Sequence, residues 1–185
     1  DDPKVLEGLL RRVLELAPNS ESALQRLSVL FTDGERWNEL LGAYDRALEA
    51  SRDKTRRIRL LREASQLSKD VANQPDKAIG YMQRLLPLTP DDDQLSIGLE
   101  RLLERHERWA DLIALWEGRL EGQSRKEREK SRGRIAAVWL DNLRDPGRAL
   151  AAAKPLLSEA QDDAEATGLL DRIIESRVAS RQVRD

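Results

Sequence analysis

The chain is patterned by apolar stripes of helical period. Within residues 34–49, Trp37, Leu40, Leu41, Tyr44, Ala47 and Leu48 recur at spacings of three and four, the stripe of an amphipathic helix. The stripe returns 72 residues on: Trp109 stands for Trp37, Leu112 for Leu40, Ile113 for Leu41, Trp116 for Tyr44 and Leu120 for Leu48. Proline marks the same period. Pro75 follows Pro3 by 72 positions, Pro90 follows Pro18 by 72, and Pro146 follows Pro75 by 71. A repeat of this length decides the architecture before any local assignment does.

Each full period reads as four helices joined by short loops. Asp2 and Pro3 open a helix over about 4–16, with Val5, Leu6, Leu9, Leu10, Val13 and Leu14 on one face. Ser20 caps a second, whose core face is Ala23, Leu24, Leu27, Leu30 and Phe31; Gly34 supplies the turn after it. The Trp37 helix runs to about Ala50. Asp53 or Thr55 opens a fourth, carrying Ile58, Leu60, Leu61, Ala64, Leu67 and Val71. The second copy repeats the order with Ala78, Ile79, Met82, Leu85 and Leu86, then Leu95, Leu99, Leu102 and Leu103, then the Trp109 helix, then Ile135, Ala136, Trp139 and Leu140. The third begins with Ala149, Leu150, Ala153, Leu156 and Leu157 and continues with Ala166, Leu169, Leu170, Ile173 and Ile174. The polar tail after about Ser176 is expected to fray. No segment alternates with period two over a strand's length. The fold class is therefore all-α: about ten antiparallel helices in one repeat domain over 1–185, with copies starting near 3, 75 and 146. Half the period, 36, is the length of one helical hairpin in a solenoid.

Composition narrows the function. The 185 residues are 36% charged and 39% hydrophobic, enough apolar material for a core. Net charge is −2, which argues against a general nucleic-acid binder. No run approaches the ~18 apolar residues of a membrane span. Cysteine is absent, so disulfides and thiolate chemistry are excluded, and the compartment stays open. With a single histidine, His106, a nucleophile–His–acid site has little material. His106 lies 72 positions after Gly34, and the expected role is a helix-end turn, where histidine tolerates left-handed geometry. Asp91, Asp92 and Asp93, and likewise Asp162 and Asp163, lack calcium-loop spacing and read as helix caps. Trp37, Trp109 and Trp116 read as core, and Trp139 as facing its own hairpin. Gly42, Gly80, Gly98, Gly118 and Gly133 lie within helices; they form no phosphate loop, and close helix packing is expected for some. No catalytic, metal or cofactor residue is assigned.

The hairpin Ser20–Ala50 resembles the tetratricopeptide repeat (TPR) unit. Leu24 takes the large first-helix position, Leu27 and Ser28 the Leu-small pair, Phe31 the tyrosine, Tyr44 the second-helix aromatic and Ala47 the last small residue; Leu40 replaces the usual alanine. The hairpin from about Arg57 to Leu88 matches through Ala64, Ala78, Met82, Leu85 and Pro90. Asp92–Glu121 is degenerate, with Glu100 and Arg119 in place of small residues, and about Arg128–Ala160 keeps Ala136, Trp139 and Ala149. Other α-solenoids share part of this pattern. The resemblance, to a divergent bacterial-type array, implies a right-handed superhelix and a non-enzymatic scaffold that binds a peptide or partner helix in a groove lined by first helices. Carried over by position, the groove residues are Ser22, Gln25, Val29, Ser65, Lys69, Gln94, Arg101 and Arg105. Some family members clamp a terminal carboxylate with Lys followed four residues later by Asn; here that pair is Gln25 and Val29, which argues against such a clamp.

Two further expectations follow from the repeat. Lys54, Arg56, Arg57 and Arg59 open one first helix, and Lys126, Arg128, Lys130 and Arg132 open its counterpart. At an offset of 72, Arg128 falls on Arg56. With Glu127 and Glu129 interleaved and Asp53 ahead of Lys54, the favoured reading is ordinary solvated or ion-paired surface, and the alternative is that the two clusters attract an acidic partner along one rim. The helix at 4–16 is a second helix without its first, and that at 163–175 a first without its second. The chain thus reads as a fragment of a longer array. Val5, Leu9 and Val13 at one end, and Leu169 and Ile173 at the other, should be exposed and drive weak self-association. The alternative function is accordingly a spacer or self-assembly module stacking through its ends.

Overall fold

The computed structural model describes residues 3–156 and 164–182. Among the described residues lie ten α-helices and no strand. They are α1 (Pro3–Leu16), α2 (Glu21–Asp33), α3 (Trp37–Ala50), α4 (Lys54–Asp70), α5 (Pro75–Leu85), α6 (Asp93–Arg105), α7 (Trp109–Glu117), α8 (Arg125–Asp141), α9 (Pro146–Ala153) and α10 (Ala164–Gln182). The last helix continues to Gln182, past the expected fraying point at Ser176. No helix among the described residues is long and apolar enough to cross a membrane.

Polar residues ahead of the helices satisfy the amide donors that a first turn leaves free. Ser20 Oγ accepts from the Ala23 amide at 3.4 Å, Asp53 from Arg56 at 2.6 Å, Asp92 from Leu95 at 3.0 Å and Asp145 from Arg148 at 2.9 Å. Ser124 and Glu127 form a reciprocal capping box. Within the acidic run 91–93, Asp92 is the cap. Asp162 and Asp163 lie outside the described residues.

The turns explain why the period is 72 rather than 36. After α2 and α6 the chain turns in three residues. The Arg36 amide donates to the Phe31 carbonyl (2.7 Å), and 72 positions on the Arg108 amide donates to Leu103 (2.9 Å). After α4 and α8 it turns in four: Gln74 donates to Ser68 and Asp145 to Trp139, both at 2.8 Å. Two turn types alternate, so each hairpin matches the next but one. Every one of these turns holds one left-handed residue, and none is glycine: Glu35 (φ 53°), Asn73 (49°), Glu107 (54°) and Arg144 (56°). This corrects the expectation for Gly34 and His106. Gly34 has φ −92°, and His106 is not left-handed either. The Schellman hydrogen bonds place the left-handed residue one position later, on Glu35 and Glu107.

The chain divides into two compact units, Asp1–Leu102 and Leu103–Asp185, the division falling inside α6. In the first unit α1 packs on α2, α2 on α3, α3 on α4 and α4 on α5. Leu27, Phe31, Leu41, Leu61 and Ala64 are its innermost side chains. Trp37 packs partly buried against this core. Arg36 ties the first unit together: it forms a bidentate pair with Glu7 (2.6 and 3.1 Å), pairs with Glu39, and stacks over Phe31 at 4.8 Å. In the second unit α7 packs on α8, α8 on α9, and α10 on both α8 and α9. Ala136, Ala149, Ala153, Leu156 and Ile173 form a core there, with Trp139 against it.

Several core assignments shift. Val71 ends α4 and is exposed, while Tyr81 and Val138 are buried. Trp116 is buried, but Trp109 is half-buried. At the far end the expectation that Leu169 and Ile173 are exposed is corrected: Ile173 is buried and Leu169 and Leu170 pack against the same core, because α8 and α9 cover this face of α10, while Ile174 is exposed. Among the helical glycines, Gly98 meets Met82 Cε, whereas methyl groups added at Gly42, Gly80 and Gly133 would meet nothing within 4 Å. Close packing therefore does not account for those three.

At the N-terminal end the exposed stripe is as expected. Val5 is 59% exposed, Leu9 61%, Val13 42% and Leu16 74%, while Leu10 on the opposite face is buried. The counterparts of Leu9 and Val13 in α5, 72 positions on, are Tyr81 (4%) and Leu85 (1%), both within the core that α4 completes. Helix α1 thus has two apolar faces, one of them bare.

Candidate partner-binding surface

The first helices of the hairpins are α2, α4, α6 and α8, with α10 in the same role. Ion pairs link them where they are neighbours within a unit. Arg59 on α4 reaches Glu21 on α2 (2.7 Å), Arg62 on α4 reaches Asp92 ahead of α6 (2.7 Å), Arg134 on α8 reaches Glu104 on α6 (3.5 Å), and Arg172 on α10 pairs with Asp141 on α8. The Arg59 pair holds the Glu21 carboxyl below its ordinary range, the hydrogen bond being the main cause. These pairs are exposed, and each adds little to stability. They fix which side chains can span the space between first helices.

In the first unit the resulting recesses are polar. Gln25 sits in a small one of about 190 Å³ between α2 and α4, with Ser28, Tyr44 and Glu63. The Tyr44 hydroxyl donates to Glu63 at 3.0 Å, and burial pushes this phenol up to about 12. Arg56 lines a wider opening of about 700 Å³ with Asn19, Ser51 and Asp53, and its guanidinium donates to the Asn19 side chain. Gln94 borders a third opening, of about 760 Å³, with Arg62, Pro90 and Asp91. The remaining positions carried over from the repeat family are not brought to these recesses. Ser22 and Val29 are exposed on α2, the Ser65 hydroxyl donates back to the Arg62 carbonyl (2.9 Å), Lys69 pairs with Asp70 (3.4 Å), and Arg101 and Arg105 are exposed on α6.

The second unit holds a different cleft, of about 790 Å³, between α8 and α10. Lys126, Lys130, Gly133 and Ala137 line it along one face of α8, and Leu156, Leu169 and Arg172 line the other side. Two of these, Lys126 and Lys130, belong to the basic cluster singled out in the sequence. Arg128 does not join them: its guanidinium donates to the Gln123 carbonyl at 2.8 Å. The register also shifts. The caps Asp53 and Ser124 are 71 positions apart, as are the ends Asp70 and Asp141, because the stretch from Trp109 to Ser124 is one residue shorter than that from Trp37 to Asp53. Arg128 is therefore the counterpart of Arg57, not of Arg56, and the pairing at an offset of 72 is corrected.

The same register shows how the cleft arises. Gly133 and Ala137 occupy the places of Arg62 and Gln66 on α4. Where α4 extends two long side chains, α8 offers a hydrogen and a methyl group. The inner positions change too: Ser131 and Arg132 stand for the buried Leu60 and Leu61. This signal was present in the sequence but is visible once the caps fix the offset at 71.

Among the described residues no cluster of His, Asp and Glu could hold a metal ion. No protein-family model matches the chain, and no curated protein does. Solved structures do. The chain is similar to YrrB, described as a TPR protein with an unusual peptide-binding site, at 14% identity and a TM-score of 0.42, covering 91% of this chain and 84% of that one. It is similar to PilF of Pseudomonas aeruginosa at 16% identity and a TM-score of 0.40 (91% and 74% covered). A tetratricopeptide repeat protein of Parabacteroides merdae gives 15% identity and a TM-score of 0.40 (93% and 79% covered). By its own helical pairing, alternating turns and 72-residue period, the chain is an all-α array of helical hairpins.

Proposed function

We propose that this chain is a non-enzymatic interaction scaffold that holds a peptide or a partner helix against its first helices. One observation carries the reading. The second helices α3, α5, α7 and α9 spend their apolar stripes on the core, while the first helices leave recesses of about 700–790 Å³ between them. Such openings suit a side chain or a short extended segment rather than an enclosed small molecule. Polar rims would set orientation, and in the second unit the apolar floor of Ala137, Leu156 and Leu169 would add grip. Selection from a random peptide library displayed on phage tests this. Sequences that enrich, and then bind the purified chain at micromolar affinity as synthetic peptides, support it. Failure of any sequence to enrich over a tag-only control contradicts it.

A second reading has its own observation. The bare face of α1, from Val5 to Leu16, is the face that a first helix covers on α5. A contiguous apolar stripe of this kind promotes association. We propose that copies of the chain associate weakly through α1, consistent with an assembly role alongside ligand binding.

A further inference from the structure

We infer that the cleft between α8 and α10 is a socket for one large apolar side chain carried on an acidic peptide segment. The inference rests on the scaffold reading above and names the partner's chemistry.

The floor of the cleft is apolar and short. Gly133 and Ala137 lie one turn apart on α8, and a methyl group added at Gly133 would meet no atom within 4 Å. Leu156 and Leu169 close the far side. The equivalent place in the first unit is crossed by Arg62, which reaches Asp92, so no comparable floor is open there. A leucine or phenylalanine side chain entering the cleft would exchange water for contacts with Ala137, Leu156 and Leu169.

Charge decides what surrounds that side chain. Two carboxylates line the cleft, and both are already engaged. Glu127 closes the capping box with Ser124, whose side chain and amide donate at 2.6 and 2.9 Å, and Glu129 pairs with Arg125 at 2.9 Å. The bonds from Ser124 hold the Glu127 carboxyl below its ordinary range. Of the basic lining residues, Arg134 pairs with Glu104 and Arg172 with Asp141. Lys126 and Lys130 have no such pairing. They stand four residues apart on the rim of an apolar floor. Each ammonium fits a carboxylate of a segment whose apolar side chain is seated below. A nucleic-acid strand is disfavoured. Two unpaired cations on a chain of net charge −2 neutralise few phosphates, and the floor has no aromatic platform for bases.

The test uses the full chain, isotopically labelled, and three end-blocked nonapeptides with a central phenylalanine flanked by glutamates, by glutamines or by lysines. The glutamate peptide should shift the methyl resonances of Ala137, Leu156 and Leu169. Its affinity should exceed that of the glutamine peptide at least tenfold, with the difference shrinking as salt rises. Two variants should each weaken it tenfold or more: the double variant Lys126→Gln/Lys130→Gln, which removes the charges, and Gly133→Leu, which fills the floor. Both should keep the parent's helical circular dichroism and melting temperature or better, because glutamine is nearly as good a helix former as lysine and leucine is a stronger one than glycine. Shifts confined to Gln25, Ser65 and their neighbours would overturn the socket while leaving the scaffold reading standing. Equal binding of the glutamate and lysine peptides, or full binding by Gly133→Leu, would also overturn it. If none of the peptides moves any resonance at millimolar concentration, the socket falls, and the library selection decides the broader reading separately.

Discussion

Two tyrosines, Tyr44 and Tyr81, show how the fold acts on single residues. Both phenols are buried, and burial favours their neutral forms; Tyr44 is raised to about 12, and Tyr81 is raised as well. A folded pKa above the unfolded value of about 10 means stability that is complete below pH 10 and lost as pH rises through the folded value. At pH 11 the native chain should therefore show little tyrosinate absorbance at 295 nm, and ionisation should coincide with loss of helical circular dichroism. Complete ionisation of both residues with the helices intact would contradict it. The left-handed turn residues make a second prediction. A side chain at positive φ costs roughly 1–2 kcal/mol, except for asparagine, which tolerates it better. Glu107→Gly should raise the unfolding free energy by about 0.5–1 kcal/mol, and Asn73→Gly should change it less. Equal effects in urea denaturation would count against the turn geometry. The caps and prolines were legible in the sequence because each is a local signal. The left-handed positions were not, since Glu35 rather than Gly34 is selected by where the last helical hydrogen bonds close.

The helices themselves were legible because their stripes repeat, yet periodicity did not settle how deeply each stripe is buried. Helix α7 carries both kinds of outcome. Trp116 is buried under the Arg134 guanidinium, 4.0 Å from its ring, whereas Trp109 at the helix start is half-buried. Trp116→Ala should cost about 3–5 kcal/mol, and Trp109→Ala roughly half of that. Equilibrium unfolding of the two variants checks the order, and a larger loss at Trp109 would reverse the assignment. Helix α1 shows the converse. Its stripe is as apolar as that of α5, but nothing within the described residues covers Val5, Leu9 and Leu16. Sedimentation should show weak, concentration-dependent association that Leu9→Gln with Leu16→Gln abolishes while helix content is kept. A parent chain that stays monomeric to millimolar concentration would remove the assembly reading.

At the scale of the whole molecule, contacts within each unit are local in sequence, from one helix to the next or next but one. Repeat architectures of this kind are stabilised by the sum of neighbouring interfaces, which leaves the exposed face of each first helix free to vary. The candidate surface is a product of that freedom. It was only partly legible: Lys126 and Lys130 stood out as charge, but the cleft depends on what α8 lacks at Gly133 and Ala137, and on how α10 closes against it. An absence on one helix has meaning only after packing is known. The claim that partners are held by the first helices is tested most directly by hydrogen exchange on the full chain, with and without a library-selected peptide. Slowed exchange should concentrate in α4, α8 and α10, where first helices border the openings, and leave α3, α5 and α7 unchanged. Slowing confined to the second helices would contradict the account.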